Sequence, residues 1–300
     1  MLPYQAPPTE VFSHRGVPIA SFDTLGPNLD AEIVESFGSE WKRFGWFSDT
    51  AIEVAGAEYF DIVPKDVLAA VGHALDAGCG SGRWSRYLST RVGFVESIDP
   101  SEAVFSASEL NRDRKNVRVT RASLDNVPFA DGSFDFAICL GVIHHLPNPA
   151  LALRRLVQKV KPGGHVLVYV YYNLDQRGPL YRGLFLLADG IRRVVSRMPH
   201  RLKGWVCDVF AFSIYLPLIA VSRAVVLAGG REAADRLPLT YYQNKSLRDI
   251  RTDALDRFGT AVERRFTRDE FVSMMNTAGL KDVVVSPRAP FWHALGQRAS

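Results

Sequence analysis

A chain of 300 residues, 47% hydrophobic and 23% charged, holds enough apolar material for one large or two modest cores, and its composition is that of a globular protein. Its three cysteines (Cys79, Cys139, Cys207) are odd in number and far apart, and no Cys/His cluster has zinc-site spacing, which excludes a disulfide framework and points to a reducing compartment. The formal charge of +4 is unevenly spread: Arg177 to Lys203 holds seven Arg and Lys against one acid, Asp189.

Residues 1 to about 22 contain several prolines without periodicity and read as a loosely ordered arm; no apolar run in them has the character of a secretory signal, so a cytoplasmic protein is expected. Residues 28–70 read as short helices. In NLDAEIVESFGSEWKRFGWF, the residues Ile33, Val34, Phe37, Trp41 and Phe44 share one helical face, interrupted at Gly38. Residues 1–71 are therefore expected to form an arm and a helical cover.

From residue 72 strands and helices alternate. HALDAG is a strand, RWSRYLSTR a helix, and FVESID a strand ending at Asp99, with Ser101 capping a helix to about Asn111. NVRVTRAS and FDFAICLGV follow as strands. NPALALRRLVQKV is a helix with Asn148 as N-cap and Pro149 at its first position; KPGG ends it, and HVLVYVYY is the fifth strand. Residues 173–265 break this rhythm. A helix striped by Arg182, Asp189, Arg193 and Arg197 precedes VFAFSIYLPLIAV, thirteen uncharged residues around Pro217. That run is shorter than the ~18–20 residues that span a bilayer and reads as a buried helix pair or a lid. TRDEFVSMMNTAGL carries a capping box, Thr267 with Glu270, and ends at Gly279; KDVVVSP and PFWHALGQ are the last strands. The expected fold is α/β. A doubly wound, seven-stranded, mostly parallel sheet is built from 72–172 and 266–300, with N-terminal helices and a mainly helical lid or acceptor-binding insertion over 173–265.

The first strand runs into Gly78-Cys79-Gly80-Ser81-Gly82, a turn suited to a nucleotide. The register does not fit a dinucleotide fingerprint, because the third glycine arrives one position early and Arg83 takes its place. Asp76, two residues before Gly78, would repel a pyrophosphate and attract an ammonium group. Asp99 ends the second strand, where a carboxylate can accept both ribose hydroxyls. LDAGCGSGR, IDPS, LDNVPFADGSFDFAICLGVIHHL and LVQKVKPGGHVLVYVYY, in this order and spacing, resemble the motif series of class I S-adenosylmethionine-dependent methyltransferases. Within that family the chain resembles the branch that includes quinone-biosynthesis and many secondary-metabolite enzymes. The resemblance covers about 72–172 and, more loosely, 266–298.

The resemblance implies a Rossmann-like methyltransferase fold, S-adenosyl-L-methionine as cofactor and S-adenosyl-L-homocysteine as product; the sequence offers no metal site. It implies that Asp76, Gly78, Cys79 and Gly80 surround the methionine part, that Asp99 binds the ribose, and that Pro100 and Ser101 lie beside the adenine. Ser123 and Leu124 stand where relatives carry an acidic residue for the adenine amino group, and serine is a departure there. Leu140 and Gly141 lie under the sulfonium, with His144 and His145 in the acceptor-facing loop.

A neutral histidine is a suitable base for an acceptor hydroxyl. His145 is the first candidate and His144 the second, with a purely loop-orienting role open for both. Trp41, Phe44, Tyr171, Tyr172, Tyr241 and Tyr242 are candidate acceptor walls, although each reads first as ordinary core, and Arg248, Arg251 and Asp253 are candidate contacts. The expectation is methyl transfer, most simply to oxygen, on a small natural-product-like or biosynthetic acceptor. Two alternatives stand beside it. One is a lipid-like or polyprenyl acceptor met by peripheral contact with an anionic membrane, to which the basic segment is suited. The other is a non-catalytic cofactor-binding regulator. Basic residues are not interleaved with aromatics as in an RNA-binding module, which argues against nucleic acid.

Overall fold

The computed structural model describes residues 1–299 apart from 25, 45–46, 174–178, 231–232, 235–236, 238 and 260–262. The chain divides into two compact units, Met1–Asn173 with Arg264–Ser300, and Leu174–Glu263.

The first unit holds a nine-stranded sheet. Its elements in chain order are β1 (Glu10–His14), β2 (Val17–Ser21), α1 (Ala31–Phe44), α2 (Asp49–Tyr59), α3 (Lys65–Ala69), β3 (His73–Ala77), α4 (Arg83–Ser89), β4 (Phe94–Asp99), α5 (Ala103–Leu110), β5 (Val117–Arg121), β6 (Phe134–Leu140), α6 (Pro149–Lys159) and β7 (Val160–Tyr169). After the second unit come a helix over Arg268–Thr277, β8 (Leu280–Val285) and β9 (His293–Arg298). The strand order is β1-β2-β5-β4-β3-β6-β7-β9-β8. The run from β2 to β7 is parallel; β1 and β9 are antiparallel to their neighbours.

The sheet has two strands more than the seven expected, and both come from the segment read as a loose arm. Arg15 and Gly16 take φ of 49° and 81°, the pair of left-handed residues that closes a two-residue hairpin. β1 then pairs with β2 from Glu10↔Ser21 to His14↔Val17, and β2 adds to the edge at β5. Residues ahead of the hairpin are tied down as well. The Leu2 N–H donates to the buried Glu96 carboxylate (3.0 Å), which also accepts from Arg118 (2.7 and 2.8 Å). Prolines obscured a turn whose signal was the Arg-Gly pair between apolar residues.

Alternation along the central strands sends side chains to both faces, each covered by helices. Leu75, Ala77, Ile98, Ala137, Cys139, Val166 and Val168 join one core; Ala74, Val95, Phe136, Ile138 and Leu167 join the other. Caps fix two helices where the sequence placed them. Asn148 accepts from Leu151 N–H (3.0 Å), and Thr267 and Glu270 make both bonds of the capping box. The chain winds from β3 through β4 to β5 and then returns to β6 on the other side of β3. The carboxyl ends of β3 and β6 thus border the crevice where such sheets bind ligands.

In the second unit the described elements are helical. They include Pro179–Val195, a continuous helix over Leu202–Leu227, and Leu247–Gly259. The apolar run around Pro217 is therefore part of a 26-residue helix, long and apolar enough to cross a membrane. It is not the short buried segment the sequence suggested. A wide π turn at Ala211–Tyr215 lets the helix continue through Pro217, whose ring would otherwise clash with the carbonyl four residues back.

Candidate active site

The loop after β3 folds over the end of β4, with the N–H groups of Gly78 and Cys79 donating to Ile98 O (2.8 and 2.9 Å). Gly78 and Gly80 are left-handed (φ 76° and 51°). A Cβ on Gly78 would lie 2.5 Å from Val142 Cγ2, and one on Gly80 would lie 2.9 Å from Trp41 Nε1. The loop is held between the segment after β6 and the indole of α1, and only glycine fits at either position.

Two buried carboxylates flank it. Asp76 Oδ2 accepts from Ser85 Oγ (2.6 Å), which in turn accepts from Ser97 Oγ (2.8 Å). Burial, aided by the nearby Asp99, pushes the Asp76 carboxyl up to about 7. Asp99 accepts from the Gly80 N–H (3.0 Å) and from the Ser101 N–H and Oγ (2.9 and 2.6 Å); burial raises its carboxyl despite these bonds. Burial pushes the Cys79 thiol well up, so it is no nucleophile there. Two desolvated acids on one glycine loop disfavour phosphate and suit a ligand that carries positive charge.

Beside the loop, Gly78, Pro100, Ala122, Leu124, Asp125, Val142 and Leu146, with Asn28 and Leu29, line a small cleft that is partly open to solvent. Asp125 is held by the Asn28 N–H (2.8 Å) and Arg155. Between the lining residues Ala122 and Leu124, Ser123 is fully buried and its hydroxyl has no hydrogen-bond partner among the described residues. Two buried acids beside a glycine loop and an orphaned hydroxyl beside an apolar slot are compatible with the S-adenosylmethionine that the sequence resemblance implies.

Leu140 ends β6, and after Gly141 a 3-10 turn over Ile143–His145 places both histidines in the interior. His144 is fully buried, and neither of its ring nitrogens has a hydrogen-bond partner among the described residues. Burial, then His145 and Arg265, hold its pKa well below the usual histidine value, so the ring is neutral. Tyr171 packs on it at 4.1 Å between ring centroids, and His145 lies at the same distance on another side. His145 meets Phe37 of α1 at 5.0 Å.

Of the cofactor candidates, Gly78, Pro100 and Leu124 line the cleft, with Ser123 between two of its lining residues. Asp76, Cys79, Gly80, Asp99 and Ser101 belong to the glycine loop and the strand ends and turn bonded to it, Leu140 and Gly141 to the end of β6, and His144, His145 and Tyr171 form an aromatic cluster after that strand. Trp41 covers the glycine loop, whereas Tyr172 turns away to pack on Phe291 and Trp292. The other candidates are engaged inside the second unit. Tyr242 packs on Tyr241 (5.3 Å) and Tyr215 (5.8 Å), Tyr215 donates to Asp253 (3.0 Å), and Arg251 is paired with Asp208 (2.8 and 2.9 Å). The side chains of Phe44 and Arg248 lie outside the described residues. Sequence reasoning missed the Ser85–Ser97 support of Asp76, Phe37 against His145, and Arg265 near Tyr171. None belongs to a local motif; each is brought in by the tertiary fold. Among the described residues no group of three His, Cys, Asp or Glu side chains could hold a metal ion.

A doubly wound sheet with a glycine loop and two buried acids at its switch point has the architecture of a Rossmann-like nucleotide-binding domain. Residues 75–168 match the family described as methyltransferase domain, and they are the part of the chain that resembles class I S-adenosylmethionine-dependent methyltransferases. It is similar to the ubiquinone biosynthesis O-methyltransferase of Marinobacter nauticus, 34% identical over 48% of this chain and 60% of that protein. The protein of the same name from Pseudomonas fluorescens is 29% identical over 44% and 57%. The matches thus span less than two thirds of those relatives' length. An O-methyltransferase family protein from Burkholderia thailandensis, of known structure, has a TM-score of 0.49 at 14% identity, over 84% of this chain and 58% of that one.

Proposed function

We propose that this protein transfers a methyl group from S-adenosylmethionine to a hydroxyl oxygen of a small biosynthetic acceptor, as the names of its relatives describe for them. The pair of buried carboxylates, Asp76 and Asp99, on either side of the glycine loop carries this reading, because it favours a cationic cofactor over a phosphate-bearing one. When bound, that cofactor supplies an electrophilic methyl group on positively charged sulfur. The chain's own part is to orient, to exclude water and to receive a proton. We assign the proton to His144, whose neutral ring has nitrogens with no partner among the described residues. Tyr171 and His145 fix the plane of that ring, and Phe37 and Trp41 of α1 shield the histidines and the glycine loop from water. A quinone precursor or a secondary metabolite with a phenolic hydroxyl fits such a site, and the three buried thiols support a reducing, cytoplasmic setting.

The test is calorimetric titration of the full chain with S-adenosylmethionine, S-adenosylhomocysteine and NAD, followed by assay of phenolic acceptors for S-adenosylhomocysteine release. Binding of the first two and not the third is expected, with turnover on a hydroxyl-bearing acceptor. His144→Gln should keep cofactor affinity and lose most turnover. Failure to bind either adenosyl compound overturns the reading.

A further inference from the structure

The second unit has a small apolar core, in which Ile219, Ile250, Leu255 and Phe258 are buried, and leaves a second apolar face outside it. Along the Leu202–Leu227 helix the buried residues include Cys207, Ala211, Tyr215, Ile219 and Ser222. This side carries the polar ties. Asp208 accepts from Arg251, Tyr215 donates to Asp253, and Ser222 Oγ meets Thr240 Oγ1 (2.9 Å). Leu202, Trp205, Val209, Phe212, Val221 and Leu227 are exposed instead, Trp205 by 65% and Leu227 by 88%. Their spacing is that of one helical stripe, carried past Pro217 by the π turn. Only 22% of the helix's most apolar window is buried. Pro179–Val195 repeats the pattern with exposed Leu186, Leu187 and Val194, and Arg193 and Arg197 stand exposed toward its end. Both helices pack on Leu247–Gly259. An apolar surface of this extent on a soluble monomer marks something that covers it.

We propose that the second unit seats the protein on an anionic lipid bilayer, the Leu202–Leu227 helix lying in the headgroup region with its apolar stripe toward the acyl chains. Two observations favour this occupant. The stripe adjoins in sequence the most basic segment of the chain, Arg177–Lys203, with seven Arg and Lys against one acid, and anionic headgroups complement that charge. Trp205, an indole with an apolar body and one N–H, sits in the stripe as such residues do at membrane interfaces. The helix does not cross the bilayer, although its length would allow it. It is tied along its length to polar partners, at Asp208, Tyr215, Ser222 and Arg223, the last donating to Gln243 O (2.9 Å). Crossing would carry Asp253 and Arg257, which pair at 3.7 Å, into hydrocarbon. This seating rests on the second unit alone and is independent of methyl transfer.

Co-sedimentation of the full chain tests it, with vesicles of phosphatidylcholine alone and of phosphatidylcholine mixed equally with phosphatidylglycerol. Binding to the anionic vesicles is expected, falling roughly tenfold between low and physiological salt and released by alkaline carbonate. Trp205→Glu with Phe212→Glu should abolish it, and Arg193→Glu with Arg197→Glu should weaken it by about tenfold or more at low salt. Unchanged circular dichroism and S-adenosylmethionine affinity show that the variants are folded. Trp205 fluorescence, isolated by difference from Trp205→Phe, should be quenched by lipids brominated in the acyl chain. Absence of binding to anionic vesicles at low salt overturns the proposal. So does retention after carbonate, which means a span, and so does a dimer in lipid-free buffer that Trp205→Glu dissociates while vesicles bind neither form.

Discussion

Both units bury an apolar core, and they differ in what they leave outside it. In the first, Phe134, Phe136, Ile138 and Leu153 are wholly enclosed by the sheet and its helices. In the second, a tyrosine, a serine and an aspartate–arginine tie face inward while Phe212, Trp205 and Leu227 face outward. Water alone accounts for the first arrangement, since removing apolar area from it is the main driving term of folding. It does not account for the second, in which the exposed apolar stripe gains nothing until another surface covers it.

Substitution breaks this contrast most directly. Phe136→Ala should cost about 3–5 kcal/mol through lost burial and a cavity, read as a fall in denaturant midpoint. Asp99→Ala comes next. It leaves the Gly80 and Ser101 donors without their acceptor and should weaken S-adenosylmethionine binding about 100-fold, roughly 2.7 kcal/mol, by calorimetry. A smaller effect belongs to Asp76. A cationic cofactor favours its ionised form, so affinity should rise about tenfold from pH 6 to pH 8 and level off above, as expected for a carboxyl near 7. In the ligand-free protein the same raised carboxyl makes stability fall as pH climbs from the ordinary carboxylate range toward 7, because the unfolded chain ionises first. Asp76→Asn should flatten both profiles. Smallest of all, Phe212→Ser in the second unit should change stability in lipid-free buffer by no more than ~0.5 kcal/mol, since its ring is 51% exposed. A loss comparable to that of Phe136→Ala would mean that Phe212 is core after all.

The alternation of strands and helices, the caps at Asn148 and Thr267, and the glycine loop with Asp76 and Asp99 were legible in the sequence. Each depends on residues a few positions apart, where backbone sterics and local hydrogen bonds dictate the outcome. The hairpin at Arg15-Gly16 could have been read the same way but for the prolines around it. Trp41 over Gly80, Phe37 against His145, and the serine pair beneath Asp76 could not, because their partners come from other elements and meet only when the sheet has wound. The Leu202–Leu227 helix shows the same division. Its sequence determined that it would be apolar and helical; only the tertiary structure decided which side its polar partners occupy, and therefore that the apolar side was left facing out.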